Sequence, residues 1–156
     1  MNALETAIEE KIGEVRTDSV DFSFGELISL KSEGEFELTP DFQRLFRWSQ
    51  AQRSRLIESI LLELPIPQIF VVEQQNGVYE LVDGLQRISS VIQFIEPNLI
   101  DLEPLRLDGC DLIKALNDKT FNDLPLSLRL RVKRAKVRAV VIKRTSSSMG
   151  LSIPVC

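Results

Sequence analysis

The sequence predicts an α+β domain in which helices flank a small mixed sheet. Several segments repeat apolar residues at helical spacing, whereas shorter segments alternate apolar and polar residues or form compact apolar runs. Two of the predicted strands, "QIFVVE" and "VYELV", are separated by "QNG", a hairpin turn signal. Because helices and strands do not alternate regularly, the sequence does not predict a parallel βαβ series.

Four helices are predicted from apolar stripes and capping residues. They cover residues 2–16, a segment that Ser23 caps and Gly34 ends, about 50–63 after the cap Ser49, and 84–95. The segments "EFELTP" and "KVRAVVIKR" predict further strands. The segment "LPLSLRLRVKR" is open to two interpretations, because its alternation favours a strand, while Asp123 before Leu124-Pro125 favours a helix start.

Composition narrows the possible function classes. The chain has 156 residues, 44% of them hydrophobic, which is typical of one domain with a real core. No apolar run approaches the roughly 18–20 residues of a membrane span, and the acidic N-terminus lacks a signal-peptide core, so a cytoplasmic, soluble protein is expected. Histidine is absent, which excludes Ser-His, Cys-His and His-metal chemistry in this chain. Two cysteines, Cys110 and Cys156, form neither a disulfide framework nor a zinc site.

Charge is unevenly distributed along the chain. All 23 acidic residues precede residue 124, whereas 8 of the 19 basic residues follow it. Such asymmetry is typical of a surface that contacts nucleic acid or phosphate. The alternative is a solvated basic strand and helix that pair with the acidic body of the protein.

The segment "TPDFQRLFRWS" at residues 39–49 is the first candidate site. It places Gln43, Arg44 and Arg47 among aromatic residues. Aromatic rings can anchor such a loop while an arginine binds a phosphate through two hydrogen bonds. The alternative is that the aromatic residues fill the core and the arginines pair with Asp41 or Glu58.

The segment "DGLQR" at residues 83–87 is the second candidate site. Gly84 permits a positive φ or the close approach of a ligand, and the helix that follows presents free N–H groups and a partial positive charge. Arg87 adds a full charge, Gln86 can orient water or bond a ribose or base, and Asp83 can bind a hydroxyl, a metal-bound water or an arginine. Leu85 is expected to point inward. The alternative is a plain N-cap at Asp83 and a surface ion pair at Arg87.

Taken together and in order, these segments resemble the N-terminal domain family of GmrSD-type restriction endonucleases, whose fold is similar to ParB and sulfiredoxin. The family pattern has an FQR-aromatic-x-W segment, a helix like "LIESILLELPIP", and a hairpin that ends in a DGQQR-like motif and a helix. The resemblance extends from about Phe22 to Ile95 and, more loosely, to Ile142.

The resemblance implies a nucleotide-binding domain that hydrolyses NTPs in some members and serves restriction or phage defence against foreign, often modified, DNA. It assigns residues of this chain to the two motifs: Gln43 and Arg44 to the first, and Asp83, Gly84, Gln86 and Arg87 to the DGQQR-like one. Leu85 stands where the pattern often has glutamine. If position 85 contacts the nucleotide, replacing glutamine with leucine would impair hydrolysis. If position 85 faces the core, leucine is a neutral variation.

The resemblance also implies roles for these residues in phosphoryl chemistry, which depends on positioning and charge. The expected ligands are an NTP of unspecified base and Mg²⁺. The phosphates are expected to be held by the backbone at Gly84 and by Arg87, with Gln43, Arg44 and Arg47 also in the binding site. Asp83 is expected to bind Mg²⁺ through water or to orient the attacking water, with help from Gln86.

Two alternative functions remain open. One is a DNA-binding or regulatory module without turnover, whose phosphate contacts come from Arg129, Arg131, Lys133, Arg134 and Lys136. The other is an inactive, truncated remnant that acts through protein contacts.

The sequence further predicts three parts of the chain: a helical extension at 1–21, a ParB-like domain at 22–144 and an irregular tail at 145–156. The tail does not resemble the family's continuation, which suggests truncation. Without histidine, the chain alone is expected not to cleave DNA, so a separate nuclease subunit is a candidate partner.

Overall fold

A computed structural model describes residues 2–38 and 47–144, and these ranges contain five α-helices and five β-strands. The elements follow in chain order: α1 (Ala3–Glu14), β1 (Val15–Ser23), α2 (Phe24–Ser32), β2 (Phe36–Glu37), α3 (Gln50–Leu61), β3 (Ile69–Glu73), β4 (Tyr79–Asp83), α4 (Leu85–Ile95), α5 (Leu126–Arg134) and β5 (Lys136–Arg144). Three short 3₁₀ helices lie between α4 and α5, at Pro97–Ile100, Lys114–Leu116 and Phe121–Asp123.

The five strands form one mixed sheet in the order β1-β5-β3-β4-β2. β1 is antiparallel to β5, β3 is parallel to β5 and antiparallel to β4, and β2 is parallel to β4. The β3–β4 hairpin turns at Gly77, whose φ of 89° glycine adopts readily, as "QNG" predicts. The predicted α+β fold with a mixed sheet is therefore confirmed.

The core lies on one face of this sheet. Ile69 and Val71 of β3, Leu81 of β4, and Ala139 and Val141 of β5 are completely buried, in the alternation that places them on one side. They form a single apolar cluster with residues of the amphipathic helices α3 and α4. This packing fixes the end of β4 and the start of α4, where the second candidate site lies.

Both predicted serine caps are confirmed. The hydroxyls of Ser23 and Ser49 accept hydrogen bonds from the backbone N–H groups of Glu26 and Gln52, whose side chains accept in return from the serine N–H groups. The cap at Ser49 determines where α3 begins, at Gln50, two residues after Trp48.

The N-terminal segment differs from the prediction. The first helix ends at Glu14 rather than at residue 16, and the predicted boundary between residues 21 and 22 lies inside β1, which pairs along its whole length with β5. The sequence "VRTDSVDFS" has little apolar alternation, and of its side chains only Phe22 is known to be buried. The strand is therefore specified by pairing with a distant partner and not by a local pattern.

The ambiguous segment "LPLSLRLRVKR" is a helix. α5 begins after Pro125, contacts α2 and α3, and buries Val132 completely. The loop before it is held from α3, because the buried carboxylate of Glu58 accepts hydrogen bonds from the N–H groups of Leu112 and Ile113 at 3.0 and 2.7 Å. Glu58 is thus occupied by the backbone of this loop.

Part of the basic C-terminal segment pairs with acids, as one interpretation of the charge asymmetry predicts. Arg138 of β5 contacts Asp21 of β1 at 3.2 Å, and Lys143 contacts Asp18 at 3.4 Å and Glu73 at 3.9 Å. In the part of the chain that the structure describes, no helix is long and apolar enough to cross a membrane.

Candidate functional site

Gly84 makes the turn from strand β4 into helix α4. Its φ of 105° and ψ of 16° lie in a region that side chains with a Cβ rarely adopt. A Cβ at this position would lie 2.6 Å from Cγ2 of Ile69, a fully buried residue of β3. Glycine is therefore required here by backbone conformation and by packing, and the close neighbour is Ile69.

The N-terminus of α4 has no side-chain cap. Gly84 is the N-cap residue, Asp83 is the last residue of β4, and the first turn of α4 contains no acid. The predicted alternative, in which Asp83 is the N-cap, is therefore wrong. The first N–H groups of α4 lack partners within the helix, and their partial positive charge is not offset by an acidic side chain of the first turn.

Arg87 lies one turn into α4 and is half-buried. Its Nη2 donates a hydrogen bond of 2.9 Å to the backbone oxygen of Gln68, just before β3. Its Nε is buried and has no hydrogen-bond partner among the described residues. The surface ion pair considered as an alternative for Arg87 is not formed within residues 2–38 and 47–144, where Gln68 anchors the guanidinium instead.

Gln86 links the two candidate motifs. Its side-chain oxygen accepts a hydrogen bond of 3.1 Å from the backbone N–H of Trp48, 38 residues earlier. Its backbone oxygen accepts from the hydroxyl of Ser90 at 2.6 Å, which is within the range of a good O–H···O bond. Gln86 therefore holds the start of α3 against the start of α4.

These contacts produce a polar pocket of about 230 Å³ at the β4–α4 junction. It is lined by Arg47, Trp48, Leu81, Val82, Asp83, Gly84, Leu85, Gln86 and Arg87. The structure thus brings Arg47 of the first motif together with the whole second motif. Gln43 and Arg44 lie outside the described residues. Leu85 is half-buried and packs against the core, as expected of an inward-pointing residue, and also contributes to the pocket wall.

A second pocket of about 360 Å³ lies beside the first. Trp48 lines both pockets, and the second also contains Arg53, Gln93 and Arg106. Arg53 is buried and donates a hydrogen bond from Nη1 to the side-chain oxygen of Gln93, and burial lowers the pKa of its guanidinium. Arg53 was not among the residues predicted from the sequence, although it lies three and four residues before Leu56 and Ile57 and so continues the apolar stripe of α3, a signal that could have revealed its burial.

The basic residues proposed to contact DNA do not form one continuous surface. Arg131 and Arg134 of α5, together with Lys136 of β5, line a groove against the end of α3. Arg129 and Lys133 occupy a different side of α5, where the ammonium group of Lys133 lies 5.7 Å from the centre of the Phe121 ring. DNA binding by all five residues stays a prediction.

The fold and the pocket define a class of protein: a small α+β domain with a polar pocket where a strand meets an uncapped helix. Within that class the chain belongs to a known family, because residues 24–148 match the family model described as "GmrSD restriction endonuclease, N-terminal domain". The resemblance inferred from "FQRLFRW" and "VDGLQR" is therefore confirmed, and it points to a restriction-endonuclease system. No curated protein and no solved structure matches the chain, so its likeness to ParB and sulfiredoxin stays a prediction.

Proposed function

We propose that this domain binds the phosphates of a nucleoside triphosphate at the N-terminus of α4 and hydrolyses the nucleotide within a restriction or phage-defence system. The observation that carries the proposal is the 230 Å³ pocket that joins Arg47 to the residues of the DGLQR motif. An uncapped helix N-terminus attracts anions, and a nearby guanidinium strengthens that attraction.

The size of the pocket supports phosphate binding, with the rest of the nucleotide outside it. Sites for whole small molecules usually have volumes of about 300–1,000 Å³, so a pocket of about 230 Å³ suits the phosphate part. Trp48 forms the border with the neighbouring pocket of about 360 Å³, which offers room and an aromatic surface for the ribose and base.

The side chains have separable roles in this proposal. Arg47 is exposed at the pocket and contacts the phosphates directly. Arg87 is anchored to the backbone of Gln68, so its charge stays beside the first turn of α4. The side-chain oxygen of Gln86 is occupied by Trp48, which leaves its amide N–H₂ group as a hydrogen-bond donor toward the phosphates or ribose.

The donor set fits a Mg²⁺ ion that arrives with the nucleotide. Asp83 is the one carboxylate among the described pocket residues, and residues 2–38 and 47–144 contain no group of three His, Cys, Asp or Glu side chains that could hold a metal. Mg²⁺ in phosphate sites usually takes one or two carboxylates and completes its coordination with phosphate oxygens and water. Asp83 would hold the ion through water, and the ion would neutralise phosphate charge.

Asp83 also orients the attacking water. A carboxylate that accepts a hydrogen bond from this water aligns it with the terminal phosphate, so hydrolysis depends on Asp83 more strongly than binding does. Asp83→Asn is therefore expected to retain nucleotide binding and to lose most phosphate release.

The test is nucleotide binding and phosphate release across a panel of NTPs with Mg²⁺. Binding is measured by titration calorimetry and by nucleotide-induced thermal shift, for the wild type, Arg47→Ala, Arg87→Ala and the matched control Arg16→Ala on the exposed part of β1. We expect the first two substitutions to weaken binding at least about tenfold, since a charge-assisted hydrogen bond contributes about 1.5–3 kcal/mol, and the control to bind normally. If the wild type shows neither a nucleotide-induced thermal shift nor phosphate release, the proposal is wrong.

A further inference from the structure

Helix α1 exposes an apolar face that the rest of the described chain does not cover. Leu4, Ile8 and Ile12 are 68%, 51% and 67% exposed and follow one another at four-residue spacing, which places them on one side of the helix. An isolated helix of 12 residues is only marginally stable in water, and a stable helix of this length usually buries its apolar face. α1 therefore requires a surface against which to pack.

A groove elsewhere on the molecule has a lining that is chemically complementary to this helix. It lies between the C-terminal end of α3 and α5 and has a volume of about 630 Å³. Its apolar lining is Ile60, Leu64, Ile66 and Leu130, and its charged lining is Arg131, Arg134, Lys136 and Glu63. Leu64 is 46% exposed, so the apolar lining is open to a partner.

Charge and length both match α1 to this groove. The apolar face of α1 is flanked on one side by Glu5 and Glu9, which can pair with cations of the groove. From Leu4 to Ile12 the helix rises about 12 Å, the same rise as along the nine residues of α5. An acidic, amphipathic helix is thus the occupant that the groove favours over a nucleic acid, which would leave the apolar lining unused.

α1 cannot reach the groove of its own chain. The helix ends at Glu14 and β1 begins at Val15, so no linker allows α1 to fold back. Val15 pairs with Arg144 at one end of β5, whereas the groove residue Lys136 pairs with Ser23 at the other end. Eight residues of strand separate these ends by about 27 Å.

We propose that α1 docks in the α3–α5 groove of a second copy of this chain. The apolar face of α1 covers Leu64 and Leu130 of the partner copy, and the acidic residues beside it pair with Arg131 and Arg134 there. When both copies exchange their helices, the two identical contacts close a symmetric dimer. This interface is separate from the nucleotide pocket at the β4–α4 junction.

The test is the oligomeric state of the whole chain over a range of concentrations, measured by sedimentation equilibrium. We expect a dimer for the wild type and a dissociation constant at least about tenfold higher for Ile8→Asp, because an isoleucine that the proposed interface buries is replaced by a charge. The double charge reversal Arg131→Glu and Arg134→Glu is expected to weaken the dimer as well. Lys133→Glu is the matched control on another side of α5 and is expected to leave the mass unchanged.

A charge exchange distinguishes this interface from other ways of associating. Reversing Glu5 and Glu9 to arginine is expected to weaken the dimer, and combining this change with the reversal of Arg131 and Arg134 is expected to restore it. Because the substituted residues are exposed, each variant is expected to fold, and circular dichroism verifies this.

Four results would overturn the proposal. The first is a wild-type monomer at every concentration. The second is loss of the dimer in Ile8→Asp but not in the variant with Arg131→Glu and Arg134→Glu, and the third is no effect of either variant on the dimer. The fourth is that the variant with Arg131→Glu and Arg134→Glu keeps the mass of the dimer but no longer binds duplex DNA. The second result would indicate α1–α1 pairing, the third association through another surface such as the edge of β1, and the fourth a nucleic-acid surface.

Discussion

Replacing Gly84 with alanine is expected to destabilise the domain strongly, for two separable reasons. The φ of 105° disfavours a residue with a Cβ, and the left-handed region costs about 1–2 kcal/mol per such residue. The new Cβ would also lie 2.6 Å from Cγ2 of Ile69, and overpacking of this kind lowers the free energy of unfolding by about a further 1–3 kcal/mol. The expected loss in the free energy of unfolding is therefore about 2–5 kcal/mol.

Thermal and urea denaturation followed by circular dichroism measure this loss. For a chain of this length, about 3 kcal/mol corresponds to a decrease in Tm of roughly 10 °C. Gly77→Ala is the matched control, because Gly77 also has a positive φ, of 89°, but a Cβ there would meet nothing within 4 Å. It is expected to lose only the conformational part, about 1–2 kcal/mol.

A double-mutant cycle isolates the steric part at Gly84. Ile69→Ala alone is expected to cost about 2–5 kcal/mol, because Ile69 is fully buried. In the Gly84→Ala background it also removes the clashing Cγ2, so the double variant is expected to be about 1–3 kcal/mol more stable than the sum of the single changes predicts. Equal losses for Gly84→Ala and Gly77→Ala, together with additive effects in the cycle, would refute the packing argument.

Three further predictions concern stability and reactivity. Ser49→Ala and Ser23→Ala each remove a capping box and are expected to cost about 1 kcal/mol in urea denaturation. Glu58→Ala leaves two loop N–H groups without their buried acceptor and is expected to lower the free energy of unfolding by about 3 kcal/mol or more. Glu58→Gln retains an acceptor oxygen and is expected to keep most of the stability. Equal losses of unfolding free energy in the two variants would contradict this explanation. Burial, aided by nearby carboxylates, raises the pKa of the Cys110 thiol from 9.0 to about 11. In a Cys156→Ser variant, Cys110 of the folded protein should therefore resist modification by iodoacetamide at pH 8. Because the Cys110 thiol loses its proton at lower pH in the unfolded chain than in the folded protein, the free energy of unfolding should fall as pH rises from about 9 to 11.

The elements that could be predicted from sequence are those with strong local signals. Ser49 caps α3 through a reciprocal bond with a residue three positions later, and Asn76 and Gly77 form a tight turn in which the Asn76 side chain accepts from the N–H of Val78 at 3.0 Å. β1 lacks such a signal, because its backbone pairs with β5, more than a hundred residues later. The sequence of α5 is compatible with both a strand and a helix, and packing against the rest of the domain, which buries Val132, decides for the helix.

The candidate site was predictable only in part for the same reason. The spacing of Asp83, Gly84 and Arg87 at a strand–helix junction is local, so the sequence identifies the motif. The hydrogen bonds of Gln86 to Trp48 and of Arg87 to Gln68 join residues 38 and 19 positions apart, and no periodic pattern encodes them. These long-range bonds give the pocket its shape, and they occupy groups that the motif alone suggests are available to a ligand.

Several side chains of the motif both hold the pocket together and line it, and this decides which variant best tests nucleotide binding. Gly84 is required by the turn, Gln86 fastens α3 to α4, and Arg87 is bonded to the strand entry at Gln68. Loss of binding after changing any of them could follow from a displaced pocket. Arg47 differs, because it is exposed, lines the pocket and has no hydrogen bond or ion pair with the described residues. Arg47→Ala should therefore leave Tm unchanged and weaken nucleotide binding, and a variant that binds normally would remove Arg47 from the phosphate site.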